Sequence, residues 1–100
     1  MIMEKRTPHC ELSRVKALIE AGKVRPTHTA RTTAAILGFD LKGMIAVVAS
    51  LTIKDFYKSM TTYADHRIWQ DVYRPQTDAG AIYVKLTVID EVLIVSFKEL

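Results

Sequence analysis

Lys58, Gln70, Arg74, Tyr83 and Lys98 are the residues of this 100-residue chain best suited to chemistry on a phosphodiester. Cutting RNA requires positive groups around the phosphate, donors aimed at the charge that develops there, and flat side chains on which unpaired bases stack. Lysine and arginine can meet the phosphate, Gln70 can hydrogen-bond a base edge or a phosphate oxygen, and Tyr83 or Phe56 can stack, with Met60 as an apolar neighbour. Proton transfer is the weak point of such a set. Lysine and tyrosine ordinarily titrate near ~10, well above the pH at which a good general base works, unless clustered cations depress them.

Other chemistries fit less well. His9 and Cys10 are adjacent, His28 and His66 stand apart, and none of these has metal-ligand spacing. Cys10 is the single cysteine, so no internal disulfide can form. His66 falls in the segment Tyr63-Ala-Asp-His66, which reads first as a turn, and the four scattered glycines form no phosphate-binding loop. No apolar run follows the basic start, and the apolar stretch from Met44 to Leu51 is much shorter than the ~20 residues of a spanning helix. The expectation is a cytoplasmic protein that engages no membrane.

With 49% hydrophobic and 25% charged residues, the composition is that of one folded domain over residues 1–100. A core of this size leaves little room for an enclosed cavity, so any active site should be shallow. The net charge of +3 is uneven. Residues 1–53 hold eight Lys/Arg against four Asp/Glu (+4), and residues 54–100 hold six against seven (−1). That bias suits a polyanionic partner without requiring one.

The elements that must position these residues follow from periodicity. Leu12, Val15, Leu18 and Ile19 recur at helical spacing, which predicts a helix over 9–21 stopped by Gly22. After Pro26, Thr27 or Thr29 can cap a short helix through Ala30, Ala34, Ala35 and Leu37, ended by Gly38. Asp40 can cap a third, with Leu41, Met44, Ile45 and Val48 on one stripe. Beyond Ser50 the pattern becomes period two, predicting antiparallel strands near 54–62, 67–74, 81–89 and 92–98. Pro75–Gly80 reads as a hairpin loop and Asp90-Glu91 as the tightest turn. The fold class is α+β, with N-terminal helices packed on one face of an antiparallel sheet.

Alternation then sorts the side chains by face. Ile82, Val84, Leu86 and Val88 form one inward row and Leu93, Val95 and Phe97 another, opposite an outward row of Tyr83, Lys85 and Thr87 continued by Val92, Ile94, Ser96 and Lys98. Trp69 and Tyr73 suit the core. Gln70, Val72 and Arg74 then face out, which turns Asp71 inward. In the first strand neither Phe56-Lys58-Met60 nor Tyr57-Ser59-Thr61 is clearly the buried row. If Lys58 faces out, one sheet surface collects Lys58, Gln70, Arg74, Tyr83 and Lys98, with Phe56 and Met60 beside them. A solvated sheet face explains each of these residues singly.

The run Asp55-Phe-Tyr-Lys-Ser-Met-Thr-Thr-Tyr-Ala-Asp-His-Arg-Ile-Trp-Gln-Asp-Val-Tyr-Arg-Pro75 resembles the signature of MqsR toxins. The opening Met3-Glu-Lys-Arg-Thr-Pro-His9 and the closing Val92-Leu-Ile-Val-Ser-Phe-Lys98 resemble the same family, so the similarity spans nearly the whole chain. The resemblance implies a RelE-like fold and a toxin of a type II toxin–antitoxin system. It implies a ribosome-independent mRNA interferase that cleaves single-stranded GCU-type sites through the substrate's 2′-hydroxyl and needs no cofactor or metal. By that resemblance the catalytic residues are Lys58, Gln70 and Tyr83, with Arg74, Lys98 and Met60 in substrate binding; Phe56 joins the substrate-binding set from its place on the same strand row. It also implies a zinc-containing MqsA-type antitoxin as partner, with DNA contacted only through that antitoxin. The rival expectations are a noncatalytic RNA-binding regulatory module using the same face, and a structural subunit with a merely solvated one.

Overall fold

The structure, a computed structural model, describes residues 2–100; Met1 lies outside them. In chain order the elements are β1 (Glu4–Lys5), α1 (Leu12–Glu20), β2 (Val24–Pro26), α2 (His28–Ile36), α3 (Leu41–Ala49), a 3₁₀ turn (Ile53–Asp55), β3 (Phe56–Thr61), β4 (Trp69–Tyr73), β5 (Gln76–Thr77), β6 (Gly80–Val88) and β7 (Val92–Glu99). The expected α+β architecture is present. The three helices and four long strands match the sequence expectation, while β1, β2 and β5 are short additions. No single helix among the described residues is long and apolar enough to cross a membrane.

The helix boundaries follow from local chemistry. The Thr27 hydroxyl accepts from Ala30 N at 3.1 Å and the Asp40 carboxylate from Gly43 N at 2.7 Å, each satisfying an amide that the first helical turn leaves free. Gly22 and Gly38, with φ of 76° and 89°, end α1 and α2 in the left-handed conformation that side chains with a Cβ disfavour.

The sheet order is β1-β3-β4-β6-β7-β2, antiparallel throughout except for β2, which runs parallel to β7; β5 pairs back on β6. All helix-to-sheet burial is on one face. Ala30 and Ala34 of α2, fully buried, let that helix approach β7 closely, and Thr33 Oγ1 donates to Phe97 O at 2.6 Å. Met44 and Val48 of α3 and Val15 of α1 complete the layer over Tyr73, Ile82, Val84, Leu86, Val92, Ile94 and Phe97. Each large apolar side chain buried there contributes roughly 1.5–3 kcal/mol.

Two irregularities change the expected faces. Between Lys85 and Leu86 the β6–β7 register slips, so that Lys85 pairs with Ser96 but Leu86 with Ile94. The extra residue in β7 reverses the alternation, because pairing positions have a period of two. The inward residues are therefore Val92, Ile94 and Phe97, and the expected inward row of Leu93, Val95 and Phe97 holds only at Phe97. A second slip, between Phe56 and Lys58, separates those two residues onto opposite faces.

Asp71 does turn inward, and its burial is resolved by the N-terminal segment. One carboxylate oxygen accepts from His9 N and the other from Cys10 N, both at 2.9 Å. Trp69, on the same side of β4, is covered by His9 stacked at 5.5 Å and by Lys5, whose Nζ is 4.3 Å from the indole centroid.

Candidate active site

The face of the sheet opposite the helices carries the cations. Lys58 on β3, Val72 on β4, Lys85 on β6 and Ser96 on β7 form one cross-strand row. Next to it, Met60 pairs with Gln70, whose amide donates to Thr87 Oγ1 at 3.1 Å. On the other side, Tyr83 pairs with Lys98. Val72 is fully buried although it lies outside the main core, with Lys58 and Lys85 as its cross-strand partners.

Two tyrosines organise the charges. Arg74 Cζ is 3.9 Å and Lys58 Nζ 5.4 Å from the Tyr57 ring centroid, and the Nζ atoms of Lys98 and Lys85 are 5.2 Å and 5.9 Å from that of Tyr83. All four lie within the range of cation–π attraction. Burial pushes the Tyr83 hydroxyl up from its usual value, with Lys58 opposing and Tyr57 adding to the shift.

The two central lysines are held differently. Lys58 donates to Glu4 Oε1 at 2.6 Å, a contact that the β1–β3 pairing creates, and that hydrogen bond raises its pKa above the ordinary lysine value. The Glu4 carboxyl is lowered by the same partner. Lys85 is pushed the other way, first by burial and then by the charges of Lys98 and Lys58.

Of the residues expected at the site, Lys58, Met60, Gln70, Arg74, Tyr83 and Lys98 share this open face. Phe56 does not. The slip after it turns its ring to the helix side, where it packs edge-on against Tyr73 at 5.5 Å. Gln70 is on the face, but its amide is directed to Thr87 and not to Lys58. Sequence reasoning left three neighbours outside the site. Lys85 was already on the outward row, and its place on a strand paired along both sides was the available signal. Tyr57 reaches the face only through the slip, and Glu4 only through a two-residue strand, neither of which has a periodic signature.

Beyond Thr87 the open face runs into a shallow cleft of about 520 Å³, where Lys23, Arg25 and Glu91 surround an apolar wall of Ile89 and Leu93. Arg25 and Glu91 are ion-paired. Cys10 takes no part: it is buried on the helix side, and burial raises its thiol pKa, which suppresses the nucleophilic thiolate. Asp65 and Arg67 pair with each other in the loop around His66. No group of three or more His, Cys, Asp or Glu side chains among the described residues could hold a metal ion.

A family model described as "Motility quorum-sensing regulator, toxin of MqsA" matches residues 7–99. The chain belongs to the MqsR toxin family. A curated relative from Escherichia coli (strain K12), the mRNA interferase toxin MqsR, is 61% identical over 97 residues, covering 97% of this chain and 99% of that relative. Within this MqsR-family chain, the signature run from residue 55 to 75 builds β3, the following loop and β4, and so supplies Lys58, Met60, Gln70 and Arg74 to the open face.

Proposed function

We propose that this chain is the toxin of a type II toxin–antitoxin system and an endoribonuclease that cleaves single-stranded mRNA at GCU-type sites without the ribosome. Family membership and the mRNA interferase name of the relative support the activity. The observation that carries the site assignment is the gathering of Lys58, Arg74, Lys85 and Lys98 around Tyr57 and Tyr83 on one accessible sheet face. These four cations, with Arg6 as a fifth at 6.0 Å from the Tyr57 centroid, suit a bent, unpaired strand, with phosphates on the charges and bases on the rings.

In the reaction the substrate's 2′-oxygen attacks the adjacent phosphorus and the bond to the 5′-oxygen breaks. A 2′,3′-cyclic phosphate and a free 5′-hydroxyl result. Lys58, Arg74 and Lys98 hold the phosphate and stabilise the charge on its oxygens in the transition state. Tyr83 stacks on a base, Gln70 bonds a base edge, and Met60 gives apolar contact beside it. The cleft beyond Thr87 receives a flanking base, with Ile89 and Leu93 as its wall and charged groups at its rim. The partner is a zinc-containing MqsA-type antitoxin, the zinc being the antitoxin's own, and any DNA contact runs through it.

The test is a digest of a defined single-stranded RNA containing GCU, with the product ends identified. Cyclic phosphate and 5′-hydroxyl ends from the native chain, lost in a folded Lys58→Ala variant, are the expected result. RNA that is bound but left intact would instead make the chain a noncatalytic RNA-binding regulator.

A further inference from the structure

We propose that Lys85, at the centre of the open sheet face, accepts the proton of the substrate's 2′-hydroxyl, while Lys58 remains a charged group on the phosphate. The proposal rests on the ribonuclease reading above and supplies the proton acceptor that this reading leaves unassigned.

Position is the first argument. Lys85 is on β6, which is paired along both sides, and it lies opposite Val72 on β4 and Ser96 on β7. Its same-face neighbours along β6 are Tyr83, which contacts Lys98, and Thr87, which holds the Gln70 amide. Every other proposed contact to RNA therefore surrounds Lys85. A linkage lying across the face between the Gln70 end and the Tyr83 end passes over its ammonium group.

Availability is the second. Lys58 is committed to Glu4 at 2.6 Å, and losing its proton would break that ion pair. Lys85 has no side-chain hydrogen bond or ion pair among the described residues, and it is half-buried beside its cross-strand partner Val72. The charged and titratable groups facing it are Lys58 and Tyr57 from β3, Arg74 just beyond β4, Tyr83 on its own strand and Lys98 from β7. Glu4, from β1, is the carboxylate at this face and is taken by Lys58. Burial and the adjacent cations favour the neutral amine at Lys85, whereas the Glu4 bond favours the charged form at Lys58. A base must spend part of its time neutral, and a phosphate clamp must stay charged. The two lysines thus divide the work.

The step balances without any co-reactant. The neutral Lys85 amine takes the 2′-hydroxyl proton as that oxygen bonds to phosphorus. The bond from phosphorus to the 5′-oxygen breaks with its electron pair on that oxygen, which takes a proton from solvent water. The Lys85 ammonium then gives its proton back to solvent, so Lys58 and Lys98 stay charged throughout.

The experiment is the pH dependence of kcat/KM on a defined GCU-containing RNA oligonucleotide for the native chain, Lys85→Arg and Lys85→Ala, with RNA affinity and circular dichroism measured in parallel. Lys85→Arg keeps the charge but cannot act as a base near neutral pH. It should bind RNA within a few-fold of the native chain, cut it roughly 10²–10⁴-fold more slowly, and lack the rise of rate with pH expected of the native chain. Added primary amines should restore part of the rate to Lys85→Ala, a rescue that a purely structural role does not predict and that keeps the test open if the arginine variant misfolds. A folded Lys85→Arg that cuts within threefold of the native rate with an unchanged pH profile, or a Lys85→Ala that amines do not rescue, overturns the proposal and leaves the ribonuclease reading standing. Failure of the folded native chain to cut any RNA overturns the reading itself, and this role with it.

Discussion

Asp71→Ala should be among the most damaging single changes in this chain, although the residue points to the sheet face opposite the proposed chemistry. Its carboxylate is 4% exposed and accepts two backbone amides, His9 N and Cys10 N, at 2.9 Å each. Hydrogen bonds to a charged group are worth about 1.5–3 kcal/mol each, and removing the acceptor strands the buried donors. The sum is about 3–6 kcal/mol. The His9 amide is only part-buried and can regain water, so about 3–4 kcal/mol is the reasonable loss, a large part of the ~5–15 kcal/mol that holds a domain together. With a urea slope of ~1–3 kcal/mol/M for a small protein, the unfolding midpoint should fall by roughly 1–4 M. Trp69, the single tryptophan, stacks on His9 and makes a convenient probe, because its fluorescence reports detachment of the N-terminal segment separately from global unfolding by circular dichroism. Asp71→Asn should recover only part of the loss, since an amide offers one acceptor oxygen and turns its NH₂ toward the second donor. An Asp71→Ala loss below about 1 kcal/mol would refute the reasoning, because the two bonds would then contribute no more than a single neutral one.

Two further expectations concern buried or crowded polar groups. The Tyr73 hydroxyl is buried with no hydrogen-bond partner among the described residues, so Tyr73→Phe should stabilise the fold by about 1 kcal/mol in urea unfolding; a loss of similar size would show that the hydroxyl is satisfied. Lys85→Met should raise Tm at pH 7. The folded state penalises the charged form of Lys85 through burial and the neighbouring cations; the penalty is greatest below its lowered folded pKa and fades as pH rises to the unfolded value of ~10.4, because the folded state sheds the proton first. The advantage of Lys85→Met should therefore narrow at high pH in parallel melting curves, and a variant that melts lower at pH 7 contradicts the cost assigned to Lys85.

Much of this protein is written in local pattern. Three helices, their caps at Thr27 and Asp40, their glycine stops and the four long strands follow from spacing and turn chemistry, each a property of a few adjacent residues. Alternation along β4 and β6 put Gln70, Val72, Arg74, Tyr83 and Lys85 on one face and Asp71 on the other, and the signature run from residue 55 to 75 pointed to Lys58. Tertiary structure decided what alternation cannot. The slips at Phe56/Lys58 and Lys85/Leu86 depend on how two strands meet, so only pairing could move Phe56 into the core, bring Tyr57 to Arg74 and exchange Leu93 for Ile94 as the inward residue. The opposite treatment of Lys58 and Lys85 has the same origin. The local sequence makes both of them lysines on strands, but the acidity of each depends on charges and burial supplied by segments remote along the chain, Glu4 for one and Lys98 for the other.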